Sequence, residues 1–140
     1  MAENGPLIII DDDIDDQEIL KSVLEGLKVT NEPYFFNNCE EALTYLITTT
    51  DRPFIILCDI NLPKMNGLEF RQKVNDNEIL RKKSIPFVFW STTAHPEAVT
   101  KAYDLTVQGF FKKKGSMEEI SNAIKIVIDY WKSSVHPNSV

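Results

Sequence analysis

Polar residues that could do chemistry follow several short apolar runs of this chain. Residues 11–16 hold five aspartates in six positions, and Asp59, Ser91 and Lys113 come at or just after the ends of later apolar runs. Clustered carboxylates repel one another and raise one another's pKa unless a cation compensates their charge. Carboxylate oxygens suit Mg²⁺, which binds one or two protein carboxylates, waters and phosphate oxygens. These residue types therefore favour a site for a divalent cation and a phosphate group.

A carboxylate can itself be the nucleophile and form an aspartyl phosphate. In-line attack on a phosphoryl group requires that its negative charge be offset by a metal, a lysine and hydroxyl or amide donors. Asp59, Lys113 and Ser91 supply such groups if the fold brings them together. The set predicts phosphoryl transfer to a carboxylate.

The apolar runs that precede these residues have the composition of buried strands. Most are unbroken by polar residues and rich in β-branched or aromatic side chains, which is typical of a parallel sheet covered by helices on both faces. They are residues 7–10, 34–36, 54–58, 87–90 and 110–111. In an open α/β sheet, ligands bind beyond the carboxyl ends of the strands. The polar residues listed above are expected to meet at that edge.

Segments with helical spacing separate the strands, so the order is βα repeated five times, which predicts an α/β fold with one parallel sheet and right-handed crossovers. The polar stretch 75–84 either extends the third helix or forms a loop. Asp13 or Asp15 is expected to cap the first helix. The first helix is expected to end near Gly26, and Asn38 with Glu41 resembles a capping box that opens the second. The third helix is predicted from Gly67 to about Val74. Pro96 suits the first turn of the fourth helix, and Ser116 with Glu119 forms a capping box for the fifth.

The composition is that of a single globular domain spanning residues 1–140, with a core of about residues 6–132 and short flexible termini. The net charge of −6 and pI near 4.9 argue against direct binding of nucleic acid, which depends on basic patches. Cys39 and Cys58 have no metal-binding spacing. His95 and His136 are expected to be surface residues. No signal peptide or span of roughly 20 apolar residues is present, so we expect a cytoplasmic protein without membrane contact.

Together these motifs resemble the receiver domain of two-component response regulators, over nearly the whole chain from about Pro6 to Trp131. The D-x-x-L-P-x-M-x-G stretch from Asp59 to Gly67 is the most specific part, and the acidic pair after the first strand, Ser91 and Lys113 accompany it. The resemblance implies a flavodoxin-like, doubly wound (βα)5 fold with strand order 2-1-3-4-5. The aromatic C-terminal helix is similar to that of single-domain members such as chemotaxis regulators, which lack an output domain.

The resemblance also implies a Mg²⁺ site. Asp12 and Asp59 would bind the ion through side-chain oxygens and Asn61 through its backbone carbonyl, while Asp11 would hold a metal-bound water. Gly67 would shape the loop over the site, where it could relieve a backbone constraint.

Asp59 is implied as the phosphoacceptor, with Lys113 paired to the phosphoryl oxygens and the Ser91 hydroxyl bonded to them. Phe110 stands where the family has an aromatic ring that changes rotamer after phosphorylation. Phosphorylation would then switch a protein-binding surface formed by the fourth helix, the fifth strand and the fifth helix.

The implied partners are a sensor histidine kinase or phosphotransfer protein that donates the phosphoryl group, a downstream protein, and a second copy of the chain in a homodimer. Such a protein catalyses only its own phosphorylation and dephosphorylation, so it is a signalling switch rather than an enzyme with a separate substrate.

Two residues depart from the family pattern. Lys114 stands where the family usually has a proline after the site lysine, joined by a cis peptide bond. A cis bond before a residue other than proline costs about 2.5–4 kcal/mol, so either the Lys113–Lys114 peptide is trans and the loop differs, or strain is tolerated. Thr92 is larger than the usual alanine or glycine, which would narrow access to a phosphoryl group.

Two other classes of protein remain as alternatives at this point. A haloacid-dehalogenase-like phosphatase also has a nucleophilic aspartate after a strand, in a D-x-D pattern that residues 11–13 match, but Asp15 stands where that family has threonine or valine. The other alternative is a receiver fold that binds partners without being phosphorylated. An EF-hand is excluded, because Asp16 stands at the loop glycine and Ser22 at the bidentate glutamate.

Overall fold

The structure is a computed structural model that describes residues 4–139 and contains five strands and six α-helices. The strands are Leu7–Ile10 (β1), Pro33–Phe36 (β2), Ile55–Cys58 (β3), Phe87–Ser91 (β4) and Gly109–Lys112 (β5). The helices are Ile14–Gly26 (α1), Cys39–Thr48 (α2), Gly67–Asn75 (α3), Glu78–Lys83 (α4), Pro96–Asp104 (α5) and Met117–Ser133 (α6), and a short 3-10 helix follows at Pro137–Ser139. The expectation of flexible ends at residues 1–3 and 140 lies outside the described residues.

All five strands are parallel and form one sheet in the order β2-β1-β3-β4-β5. The predicted α/β class and strand order are therefore confirmed. The three inner strands are buried along their whole length, as their apolar sequences predicted, whereas the edge strands β2 and β5 are partly exposed.

Two apolar layers cover the sheet, because successive side chains of a strand point to opposite faces. In β1, Ile8 and Ile10 pack with residues of α2, α3, α4 and α5. Leu7 and Ile9 pack on the other face with residues of α1 and α6. The connections between strands and helices lie at the two ends of the sheet. The site residues follow the strands at the carboxyl end.

The helix starts are set by local capping. The Asp13 side chain accepts a hydrogen bond from the Asp16 N–H and caps α1, as one of the two expected alternatives. The capping box of Ser116 and Glu119 is confirmed, and Asn38 caps α2. His95 is exposed, as predicted, and its Nδ1 accepts from an amide at the start of α5.

The polar stretch 75–84 is neither an extension of α3 nor a plain loop. It contains a separate helix, α4, because the Asn77 side chain accepts from the Leu80 N–H and starts a new helix directly after α3 ends. Leu80 is buried beneath this helix, while Ile79 is exposed. The two-way prediction made from the sequence was wrong here.

The residues after α6 are packed rather than loose. His136 is 2% exposed, and its Nε2–H donates to the Phe54 carbonyl at 2.7 Å while its Nδ1 accepts from the Asn138 N–H at 3.1 Å. The Asn138 side chain donates to the carbonyls of Lys83 and Ile85, at 3.1 Å in each case. The prediction of a surface His136 was therefore wrong, and residues beyond 132 pack against the domain as far as Asn138. We call residues 134–138 the C-terminal strap.

None of the helices within residues 4–139 is both long and apolar enough to cross a bilayer.

Candidate functional site

The parallel register places the predicted site residues side by side. Ile10 pairs with Cys58, so the residues that follow, Asp11 and Asp59, leave adjacent strands at the same level. The Asp59 N–H donates to the Ile10 carbonyl at 2.9 Å, and the Lys113 N–H donates to the Ser91 carbonyl at 2.9 Å. The strands therefore bring the acids and the lysine to one edge of the sheet, as the sequence predicted.

Lys113 lies at the centre of the site. Its Nζ lies 2.7 Å from Asp11 Oδ2, 2.8 Å from Asp16 Oδ2 and 2.9 Å from Asp59 Oδ2, and its side chain is only 7% exposed. The ammonium donates hydrogen bonds to the carboxylates of Asp16 and Asp59, and its contact with Asp11 is an ion pair. The Trp90 ring lies 5.0 Å from the same nitrogen, within the range of a cation–π contact. Burial lowers the pKa of Lys113, but its interactions with the three accepting carboxylates outweigh burial and raise that pKa above its ordinary value.

Asp16 is a member of this site that the sequence analysis did not single out. It lies in the first turn of α1, whose start at Ile14 directs the turn towards the strand ends. The signal was present in the sequence: an aspartate within a turn of a helix that begins directly after the first strand must lie near the carboxyl edge of the sheet.

The two oxygens of the Asp59 carboxylate have different partners. Oδ1 accepts from the Ile60 N–H at 2.7 Å and the Asn61 N–H at 3.3 Å, while Oδ2 contacts Lys113. These donors together fix the orientation of the carboxylate. The residue is 7% exposed, so its carboxylate is largely shielded from solvent.

Gly67 lies directly against the Asp59 backbone. A Cβ atom at this position would lie 2.2 Å from the Asp59 carbonyl oxygen, a distance that no side chain tolerates. The backbone constraint expected at Gly67 is therefore a close approach to the Asp59 carbonyl, which leaves no room for a side chain. The left-handed conformation in this loop falls on Lys64, with φ of 64°.

Asp11 is the most strongly perturbed acid of the site. It is 1% exposed, and burial raises its pKa to about 6, although the Lys113 ammonium and the Asp13 N–H act in the opposite direction. The Asp59 charge adds to the increase. Lys113 alone therefore does not fully offset the negative charge of ionised Asp11, and a further cation close to it would stabilise that charge.

Asp11, Asp12 and Asp59 could together hold a metal ion. Each offers a carboxylate oxygen, and these oxygens all lie within 4.8 Å of one another. Oxygens that share an octahedral Mg²⁺ at 2.0–2.1 Å are at most about 4.2 Å apart, so small side-chain adjustments would suffice. Asp12 is exposed and Asp11 and Asp59 are buried, so a cation could reach the set from solvent. The donor chemistry fits a hard divalent cation.

The other predicted residues adjoin this acidic pocket. Ser91 is fully buried at the end of β4, and its hydroxyl accepts from the Thr93 N–H at 3.2 Å. The Asn61 side chain donates to the Thr93 hydroxyl, which links the β3 and β4 loops; Thr93 was not predicted. Phe110 is half-buried and packs against Phe89, with ring centroids 5.9 Å apart. The structure thus brings four predicted residues into one cluster and places Ser91, Asn61 and Phe110 around it.

The Lys113–Lys114 peptide is trans, since the one cis bond within residues 4–139 joins Ile85 and Pro86. Of the two alternatives, the trans peptide is therefore the one observed. Lys113 reaches the carboxylates despite the missing proline.

Comparison with known proteins agrees with this geometry. The family model described as the response regulator receiver domain matches residues 7–125. Response regulator Rcp1 of Synechocystis sp. is 23% identical over 134 residues, which cover 92% of this chain and 90% of Rcp1. The phosphorylated cyanobacterial phytochrome response regulator RcpA superposes with a TM-score of 0.85 at 25% identity, covering 96% of this chain and 98% of that one. The Mn²⁺-bound form of Rcp1 superposes with a TM-score of 0.81 at 23% identity, covering 94% and 96%.

This chain belongs to the response regulator receiver domain family. It is a phosphoacceptor of two-component signal transduction, with the acidic cluster expected of that class at the carboxyl edge of the sheet. The haloacid-dehalogenase-like alternative is therefore wrong.

Proposed function

We propose that Asp59 is the phosphoacceptor and that it is labelled in a Mg²⁺-dependent reaction. The observation that carries this is the geometry of its carboxylate: two peptide N–H groups hold Oδ1, and Lys113 holds Oδ2 at 2.9 Å, beside two further acids. An ionised, oriented oxygen next to a fixed cation is what nucleophilic attack on a phosphoryl group requires.

Mg²⁺ is the proposed ion because its preferred ligands match the donor set. Asp12 and Asp59 would bind it through side-chain oxygens, Asn61 through its backbone carbonyl, and Asp11 through a water. The related Rcp1, which has a Mn²⁺-bound form, supports a divalent ion at such a site. When bound, the ion would neutralise charge on the phosphoryl oxygens.

In the proposed transfer, an Asp59 oxygen forms a bond to phosphorus as the P–N bond of a donor phosphohistidine breaks. The electron pair of that bond returns to the imidazole, and Asp59 becomes an acyl phosphate. Lys113 would donate to a phosphoryl oxygen and the Ser91 hydroxyl to another, so that both stabilise the developing charge. Hydrolysis of the acyl phosphate would return the chain to its resting form, and we propose no other catalytic activity.

The proposed donor is a sensor histidine kinase or a phosphotransfer protein, and the proposed location of the chain is the cytoplasm. Phosphorylation would shift the protein between two surface conformations. The hydroxyl of Ser91 and the half-buried ring of Phe110 lie on β4 and β5, so movement at either would alter the face formed by α5, β5 and α6. A downstream protein, or a second copy of the chain in a homodimer, would bind that face.

Intact-mass measurement after incubation with acetyl phosphate tests the proposal. We expect one phosphoryl group to be added when Mg²⁺ is present and none after chelation of the metal. Asp59→Asn should abolish the label, whereas Asp76→Asn, which removes an exposed acid at the end of α3, should leave it unchanged. Full labelling of Asp59→Asn would overturn the assignment. Absence of label in the wild-type chain would instead favour a receiver fold that works without phosphorylation.

A further inference from the structure

Among residues 4–139, Asp16 is the one acid in contact with Lys113 that does not belong to the candidate metal cluster. Its Oδ2 lies 2.8 Å from Lys113 Nζ, and its side chain is 25% exposed. The other two carboxylates on Lys113, those of Asp11 and Asp59, are both members of that cluster. Asp16 therefore has a different relationship to the lysine from its neighbours.

The position of Asp16 is fixed by the start of α1. Its N–H donates to the Asp13 side chain at 3.1 Å. The side-chain amide of the next residue, Gln17, donates to the Asp11 carbonyl at 2.6 Å and to Asn37 at 2.8 Å, which ties this turn to the ends of β1 and β2. These hydrogen bonds fix the backbone of the turn that carries Asp16 beside Lys113.

Three carboxylate oxygens surround Lys113 Nζ within 2.9 Å, and the ammonium donates hydrogen bonds to those of Asp16 and Asp59. A phosphoryl oxygen would have to compete with these carboxylates for it. Asp11 and Asp59 would be drawn towards the metal and the new acyl phosphate. The contact with Asp16 is then the one that neither ligand removes, so a phosphoryl oxygen would have to share the Lys113 ammonium with the Asp16 carboxylate.

We propose that Asp16 is a positioning residue that holds the Lys113 ammonium in the unphosphorylated site and competes with the phosphoryl group for it. This inference rests on the proposed role of Asp59. The Asp16 charge also acts directly on both ligands of the site. The carboxylates of Asp16 and Asp59 contact one nitrogen, so they are less than about 6 Å apart, a distance at which charges still interact strongly in a partly buried pocket.

The two ligands should therefore respond to removal of the Asp16 charge in opposite directions. A divalent cation is attracted by this carboxylate, and an anionic phosphoryl group is repelled by it and deprived of Lys113. Loss of one charge at this distance is expected to change each affinity by about three- to tenfold.

The test measures two equilibria by isothermal titration calorimetry in the full chain: Mg²⁺ alone, and beryllofluoride, a phosphoryl mimic, at saturating Mg²⁺. In Asp16→Asn we expect weaker Mg²⁺ binding and tighter beryllofluoride binding, each by about three- to tenfold. Asp16→Glu, which keeps the charge, should restore both affinities to within about twofold of wild type.

Asp15→Asn is the matched control. Asp15 lies in the same first turn, so its removal changes net charge and the interaction with the helix dipole equally, but it is exposed and is not among the carboxylates that contact Lys113 in the described chain. We expect both of its affinities to stay within about twofold of wild type.

Several outcomes would overturn the inference. Weaker binding of both ligands by Asp16→Asn would indicate that the site has only been loosened. Equal changes in affinity in Asp15→Asn would indicate a long-range effect of net charge. Unchanged affinities in Asp16→Asn would show that Asp16 does not compete for Lys113. If wild type binds Mg²⁺ but neither beryllofluoride nor a phosphoryl group, the proposed function fails, and the inference fails with it. If the wild-type chain binds both Mg²⁺ and beryllofluoride and Asp16→Asn binds them with unchanged affinities, only the inference about Asp16 is rejected.

Discussion

Two buried cations in this receiver domain, Lys113 and Arg71, have opposite surroundings. Lys113 contacts three carboxylates at the carboxyl edge of the sheet. Arg71, which is 1% exposed, donates to the carbonyls of Leu105 at 3.0 Å and Thr106 at 3.1 Å and lies 4.9 Å from the Phe87 ring centre. Within residues 4–139 no carboxylate forms an ion pair with it.

The pKa values of the two groups reflect this difference. Burial lowers the pKa of Arg71 to about 10, with a smaller contribution from the charge of Arg81, because carbonyl dipoles compensate a buried charge only in part. Around Lys113 the carboxylates outweigh burial, and its pKa rises. Carboxylates can also exchange one partner for another, whereas backbone carbonyls are fixed by the chain. Lys113 is therefore available to bind ligands, whereas Arg71 anchors the loop between α5 and β5 to α3.

The largest effect is expected from removal of the anchoring cation. Arg71→Ala deletes a buried side chain and leaves the Thr106 carbonyl without this donor, so we expect a loss of about 3–5 kcal/mol in the free energy of unfolding. Urea denaturation measures it, with Lys73→Ala, an exposed position on the same helix, as the control. Mg²⁺ should not restore the stability. A loss below about 1 kcal/mol would show that Arg71 is not an anchor.

A smaller and reversible effect is expected at the other cation. Lys113→Met leaves three carboxylates facing one another without their counter-ion, and we expect a loss of about 2–3 kcal/mol at pH 7 without metal. Added Mg²⁺ should recover most of that loss, because it replaces the missing positive charge. Thermal unfolding with and without the ion measures this. Lys112→Met, which changes the adjacent exposed lysine, should show neither effect. Equal losses with and without Mg²⁺ would contradict the comparison.

The smallest effect is a pH dependence that originates at Asp11. Its pKa is raised to about 6 in the folded protein, from 3.8. The folded state therefore holds a proton that the unfolded state has released between about pH 4 and pH 6, and the stabilising contribution of the neutral acid is lost as pH rises through this window.

Asp11→Asn should abolish that loss. In metal-free buffer at pH 7 we expect it to raise the free energy of unfolding by about 1–2 kcal/mol, less than the full shift implies, because asparagine also gives up the ion pair with Lys113 and solvent screens the open side of the pocket. Urea denaturation from pH 4 to pH 7 in the presence of a chelator is the measurement. If the free energy of unfolding of the variant depends on pH as steeply as that of the wild type, another group titrates in this range.

The positions of the strands could be predicted from the sequence because they depend on local composition, whereas the strand order was implied by the family resemblance. Unbroken apolar runs predicted buried parallel strands, and the parallel register then placed Asp11 beside Asp59 and opposite Lys113. Helix starts with short-range signals, such as Ser116 with Glu119, were predicted for the same reason.

Features that depend on distant contacts could not be predicted in this way. Arg71 is buried because carbonyls 34 and 35 residues away meet it, and no local pattern marks an arginine on an amphipathic helix for burial. His136 is buried because it donates a hydrogen bond to the Phe54 carbonyl at the amino end of β3, 82 residues away in the sequence. The contact between Asp16 and Lys113 spans 97 residues and was missed although α1 had been predicted.

Trp90 provides the protein with its own optical reporter. The indole is 3% exposed and lies 5.0 Å from the Lys113 ammonium, so any ligand that displaces that charge changes the electric field on the ring. The second tryptophan, Trp131, packs beside His136 of the C-terminal strap. Replacing Trp131 with phenylalanine would leave a single fluorophore at the site, whose emission should follow cation binding and phosphoryl transfer in real time without an added dye.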